Sequence, residues 1–239
     1  MYQIPVNSKE GDERGDAYTN AIAGTNRDDT DTVMIGEIRY AEAALATIEV
    51  ALSGNAVWAT IHAADALGII QRLDVHLRSR VADPLNIVCD PIVLSGLVFQ
   101  RLVPKLCPYC KIRLLDHLDA IAPDLLDRLR NSMPDDCLDE VCIRGSGCKH
   151  CMESGHPGLH RQTVVAEVIA VDRQLLALLR QRQHEEAKKY WLSDLGGMTY
   201  LEHARHLIMS GVLDPAITEE MLAMPINADV ESGKRGQHA

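Results

Sequence analysis

Two pairs of cysteines constrain this chain more than any other feature. Cys107 and Cys110 enclose two residues, Cys148 and Cys151 enclose two more, and residues 111–147 lie between the pairs. Two Cys-x-x-Cys knuckles bring four thiolates together, a set that suits tetrahedral Zn²⁺ with no position left open. Such a metal would be structural. Pro108 inside the first pair, and Gly145 and Gly147 ahead of the second, permit tight knuckle turns. Metal binding is worth roughly 10–16 kcal/mol at best, and would help fold an excursion expected to have little core of its own. His117, His150 and His156 are available as substitute ligands, but four cysteines make them unnecessary. Cys89, Cys137 and Cys142 have no partner at such spacing and read as core or loop residues.

The cysteine count bears on compartment. Seven is odd, and Met1-Tyr-Gln-Ile-Pro5 lacks the basic-then-apolar pattern of an export signal, so reduced cysteines and a metal are expected rather than a disulfide framework. A formal charge of −10 argues against a general nucleic-acid or acidic-membrane binder. The longest strongly apolar run, residues 91–99, is too short to span a bilayer. A cytoplasmic globular protein of one large domain or two small ones is expected from the 239 residues.

A second feature lies upstream. Thr32 to Ile35 is short and apolar and reads as a central strand covered on both faces, after which come Gly36, Glu37 and Arg39. A carboxylate just past such a strand sits at the carboxyl edge of a sheet, where open α/β folds bind ligands. A helix follows with Leu45, Ile48 and Leu52 at helical spacing, ended by Ser53-Gly54. Next is a second strand, 56–61, that delivers His62. Strand, helix, strand with a right-handed connection makes the strands parallel, so Glu37 and His62 share one rim. His62 there can sense a phosphate oxygen, while Arg39 is placed equally for a neighbouring acid or a phosphate.

Tyr2 to Val6 reads as a short extended piece, and Ala17 to Ala23 as a short helix before Arg27 and the acid-rich Asp28, Asp29 and Asp31. Asp65 is placed to cap a helix with Leu67, Ile70, Leu73 and Leu77 on one stripe. Asp83-Pro84 and Asp90-Pro91 each read as a cap with proline at the first helical position. The second is expected to start a helix through Val93, Leu94, Leu97, Val98 and Arg101 up to Pro104. Gln162 to Ile169 reads as a strand. Helices are expected after Asp172, from Met198 to Met209, and after Asp214.

Taken together, Asp31-Thr-Val-Met-Ile-Gly-Glu-Ile-Arg39, Ala59-Thr-Ile-His-Ala-Ala-Asp65, Gln100-Arg-Leu-Val-Pro-Lys-Leu-Cys-Pro-Tyr-Cys110 and Gly147-Cys-Lys-His-Cys151 resemble successive motifs of one family. It is the type II secretion and type IV pilus assembly ATPases, with their conjugative-pilus relatives, and the resemblance runs from about residue 2 to about residue 225. It implies that Glu37 is the catalytic acid of a Walker B box, that His62 belongs to a histidine box near the γ-phosphate, and that Arg39 shares that catalytic rim. Gly36 and Thr60 would line the nucleotide, and Cys107, Cys110, Cys148 and Cys151 would hold structural Zn²⁺. It further implies an α/β fold: part of a RecA-like P-loop NTPase core, a tetracysteine zinc subdomain and a helical C-terminal region. The expected partners are a hexameric ring or a full-length homologue, and an inner-membrane platform protein that the chain meets from the cytoplasm, peripherally.

The resemblance has gaps. The family's phosphate-binding loop, Gly-x-x-x-x-Gly-Lys-Ser/Thr, is absent from these residues, and the only Gly-Lys pair is Gly233-Lys234. Its Asp box and arginine-finger domain are also missing. Tyr40 stands where Asp is usual, and Ala63-Ala64 where Thr-Asn is frequent. ATP and Mg²⁺ are therefore expected only in an intact family member, and this chain alone is expected not to hydrolyse ATP. The boundaries read as 1–104 for the core half, 105–162 for the zinc subdomain, 163–225 for the C-terminal strand and helices, and 226–239 for a disordered tail. Two other classes fit parts of the sequence. One is a truncated, non-catalytic zinc module that binds a full-length ATPase or its platform. The other is a zinc-ribbon nucleic-acid binder using Lys105, Lys111 and Arg113.

Overall fold

The structure, a computed structural model, describes residues 30–152 and 155–230. The expected extended piece at 2–6 and helix at 17–23 lie outside the described residues. The chain divides into two compact units, and each is discontinuous in sequence. One takes the described residues up to Val98 together with Val168–Gly197; the other takes Phe99–Glu167 and the described residues from Met198 on. Two long paired strands, β3 (Gly96–Leu106) and β6 (Leu159–Ala170), each contribute to both units.

The first unit holds a parallel pair, β1 (Thr32–Ile35) and β2 (Ala56–Ala59), in register from Thr32 opposite Ala56 to Ile35 opposite Ala59. Helix α1 (Ala41–Leu52) connects them, making the expected parallel unit. Its buried face is Ala43, Ala44, Ala46, Ile48, Val50 and Ala51, so small side chains bring the helix close to the strands. Val33 and Val57 pack there on Ala46 and Val50. Leu52, expected in the stripe, is 55% exposed. The expectation of a strand covered on both faces is also corrected. Met34 and Trp58, opposite one another in the register, are 71% and 65% exposed, since alternate residues of a strand point to opposite faces and only one face meets α1.

Helix α2 (Gly68–Leu77) begins one turn after Asp65, whose carboxylate accepts the Gly68 N–H at 2.6 Å. It packs on α1 and on the short helix α3 (Pro84–Val88). The helix expected from Asp90 does not form. The backbone N–H groups of Val93 and Leu94 both return to the Asp90 carbonyl, giving one turn, and Gly96 then opens β3. Leu97, Phe99 and Val103 are buried while Val98, Gln100 and Leu102 are exposed, the alternation of a strand rather than the stripe of a helix. Helices α6 (Arg173–Arg180) and α7 (His184–Ser193) complete this unit, α6 capped by the Asp172 side chain at the Leu175 N–H.

The second unit corrects the expectation of a metal-dependent excursion with little core. Leu114, Leu125, Leu129, Met133, Leu138, Val141 and Ile143, from between the knuckles, share one apolar cluster with Leu201, Ala204, Ile208, Leu213, Leu222 and Ile226. The segment between the knuckles forms the two-residue strands β4 (Ile112–Arg113) and β5 (Cys142–Ile143), α4 (Pro123–Ser132) and two 3₁₀ turns. The short α5 (Lys149–Met152) carries Cys151. Helix α8 (Tyr200–Met209) is capped by Thr199, and α9 (Pro215–Leu222) by Asp214. Residues 226–230 are not a loose tail. Ile226 is fully buried, the Arg205 guanidinium donates to its carbonyl at 2.8 Å and pairs with Asp229, and the Thr199 hydroxyl donates to Asp229 as well.

Candidate functional site

Glu37 stands two residues beyond β1, and His62 three beyond β2, so a parallel pair delivers both to one edge. One Glu37 oxygen lies 2.6 Å from the Arg39 guanidinium, and the other lies 3.3 Å from His62 Nε2. The Arg39 hydrogen bond holds the Glu37 carboxyl below the usual carboxylate range, and the charges of Arg39 and His62 act in the same direction against partial desolvation. The Glu37 side chain is 25% exposed and that of His62 92%, so the acid is sheltered while the ring stands open. Thr60 brackets the acid from the neighbouring strand. Its carbonyl accepts the Ile38 N–H at 2.7 Å, and its hydroxyl donates to the Gly36 carbonyl. Gly36 is exposed, with open space where a Cβ would stand. The structure thus brings Gly36, Glu37, Arg39, Thr60 and His62 together.

The four cysteines form a second site. Their Sγ atoms all lie within 4.8 Å of one another, with Cys107 to Cys148 and Cys110 to Cys151 both at 3.8 Å and Cys148 to Cys151 at 4.0 Å. A tetrahedral ion with metal–sulfur bonds of about 2.3 Å needs sulfurs about 3.8 Å apart, so the residues present fit Zn²⁺. Burial, together with the neighbouring sulfurs, pushes Cys110 up to about 12. The Cys148 N–H first and the Gly158 N–H second bring Cys151 down to about 7. Thiol protons crowded in this way are ones that a cation would displace. Cys89, Cys137 and Cys142 stand outside the cluster, and burial raises Cys89 to about 11. Of the three histidines considered as substitutes, none joins it. His150 stacks on Tyr109 at a centroid distance of 4.0 Å, joining the exposed tips of the two knuckles.

Two of the three basic residues near the first knuckle, Lys111 and Arg113, bond to backbone carbonyls. Lys111 donates to the Gly211 carbonyl at 2.7 Å and Arg113 to the Asp139 carbonyl at 3.3 Å, which weakens the nucleic-acid reading. Sequence reasoning missed a further charged centre in the first unit. Asp74, 3% exposed, pairs with both Arg78 and Arg182. Its signal was present as an acid on the apolar stripe of α2.

The sequence model of the family described as "Type II/IV secretion system protein" matches residues 2–223. The chain belongs to that family. Among its relatives, the type IV pilus assembly ATPase PilB of Thermus thermophilus is 30% identical over 229 residues, covering 94% of this chain and 23% of PilB. The type II secretion system ATPase E of Vibrio cholerae is 32% identical over 172 residues, covering 71% of this chain and 30% of that protein. The match therefore covers less than a third of the length of either relative. The pilus retraction motor PilT, solved with bound ADP, shares its fold at a TM-score of 0.55 and 16% identity, over 85% of this chain and 43% of PilT. The ATPase DotB of Legionella pneumophila does so at a TM-score of 0.54 over 86% of this chain and 42% of DotB. Among the described residues, no helix is long and apolar enough to cross a membrane.

Proposed function

We propose that these residues carry the catalytic-acid edge and the zinc region of an ATPase that powers type IV pilus assembly, type II secretion or conjugative-pilus biogenesis. One observation carries this reading: Glu37 is held between Arg39 and His62 at one edge of a parallel strand pair, inside a family match that spans residues 2–223. Glu37, kept ionised by Arg39, orients or deprotonates the attacking water. His62, open to solvent, reaches the γ-phosphate, and Arg39 exchanges its acid for phosphate charge as nucleotide arrives. Gly36 leaves the backbone bare beside the acid. Cys107, Cys110, Cys148 and Cys151 would hold structural Zn²⁺, which contributes to folding and to no step of the reaction. ATP, Mg²⁺ and the ring partners belong to the intact assembly, a hexamer or a full-length homologue at an inner-membrane platform, on its cytoplasmic side.

The given 239 residues contain no Gly-x-x-x-x-Gly-Lys-Ser/Thr sequence, so taken alone they are expected to show no ATP turnover. Phosphate release from the pure chain at background level agrees with this; turnover abolished by Glu37→Gln contradicts it.

A further inference from the structure

The metal centre has a component that is neither cysteine nor knuckle. Gly158 lies beyond the second knuckle, yet its backbone touches both. Its N–H donates to Cys151 Sγ at 3.1 Å, and its carbonyl accepts the Cys107 N–H at 2.9 Å. Cys107 belongs to the first knuckle and Cys151 to the second, so one peptide unit on each side of Gly158 fastens the two halves of the site together. The position excludes any side chain. Its φ is +77°, and a Cβ there would stand 2.3 Å from the Gly145 carbonyl oxygen and 2.7 Å from Arg144 Cγ. Gly145 is itself so close to the first knuckle that its own Cβ would meet the Cys110 carbonyl oxygen at 1.8 Å. Cys110, Gly145 and Gly158 are thus three layers of backbone stacked without room for a methyl group. Arg144 holds the outer layer in place, its Nε donating to the Pro157 carbonyl at 2.7 Å.

We infer that Gly158 is a positioning residue of the tetracysteine metal centre, clasping the two knuckles and fixing the direction of the Cys151 sulfur by an N–H···S hydrogen bond. The inference rests on the zinc reading above and extends it. Groups that orient metal ligands by hydrogen bonding change affinity by roughly 10–100-fold when lost. Gly155 supplies the control. It has nearly the same backbone conformation, φ +75°, but nothing lies within 4 Å of where its Cβ would be. An alanine at 155 therefore meets the conformational strain without the clash.

The test is Zn²⁺ competition against a chromophoric chelator, on the full 239-residue chain. Gly158→Ala is expected to lower the affinity roughly 10–100-fold, and Gly155→Ala to lower it by much less. Equal losses in the two variants overturn the inference, as does no loss in Gly158→Ala. If Gly158→Ala does not fold, the unsubstituted chain decides. Loaded with NMR-active cadmium, it is expected to show a scalar coupling from the metal to the Gly158 amide proton through Cys151 Sγ, and absence of that coupling overturns the clasp. A wild-type chain that takes up neither metal fails the zinc reading itself, and the clasp falls with it.

Discussion

One oxygen of Glu37 faces a permanent cation and the other a titratable ring. Arg39→Gln is expected to return the Glu37 carboxyl to the ordinary carboxylate range, and an NMR titration of its carboxyl carbon that shows no rise contradicts the pairing. Because the folded pKa is depressed, the stability contributed by this pair is present above the ordinary range and is lost as pH falls through the folded value. Asp74 is the better-sheltered case. Arg182 first, then Arg78, hold its carboxyl at about 2 against the opposing effect of burial, from an ordinary 3.8. The sign is the same: the contribution is complete above about pH 4 and disappears toward pH 2. A depression of nearly two units corresponds to about 2 kcal/mol at neutral pH. Asp74→Asn is expected to lower unfolding free energy in urea by about that amount at pH 7 and by little at pH 2. A deficit that stays constant with pH would refute the assignment.

At the scale of elements, caps and knuckles carry their meaning locally. Asp172, Thr199 and Asp214 all sit at helix starts and accept the amide three residues on, so the helices after Asp172 and Asp214 stand where the sequence places them. Asp214 does more than cap: its second oxygen accepts the Arg144 N–H at 2.7 Å. Asp214→Ala is expected to cost about 2 kcal/mol in denaturant unfolding, because two amides lose their acceptor; a loss below about 0.5 kcal/mol would show that neither bond matters. The run after Asp90 shows why local signals fail. Leu94, Leu97 and Val98 satisfy helical spacing, but Leu97, Phe99 and Val103 satisfy alternation too, and pairing with β6 decided the outcome. Helix α7 gives no apolar stripe to read, because His184 to Ser193 is charged and buries only Ala187 and Trp191. The edge carrying Glu37 and His62 was legible because a parallel unit fixes where strand ends go. Gly158 was not, since nothing in a glycine's identity says which sulfur its amide will meet.

At the scale of the molecule, the cluster joining the segment between the knuckles to α8 and α9 gives the second unit a core that does not depend on metal alone. Leu129→Ala, at a fully buried position in that cluster, is expected to destabilise by about 2–5 kcal/mol in chemical unfolding, and a loss under about 1 kcal/mol would mean the site collapses without a cavity. The purified chain is expected to carry about one Zn²⁺, by elemental analysis, and none would remove the metal from the account. The central claim is nevertheless the acid at the strand edge. It is tested most directly by placing these 239 residues in the matching stretch of the Thermus thermophilus type IV pilus assembly ATPase and measuring ATP turnover with and without Glu37→Gln. Turnover that falls by roughly 100-fold or more is the result predicted for a group acting on the attacking water; an active chimera whose turnover is unchanged by Glu37→Gln would contradict it.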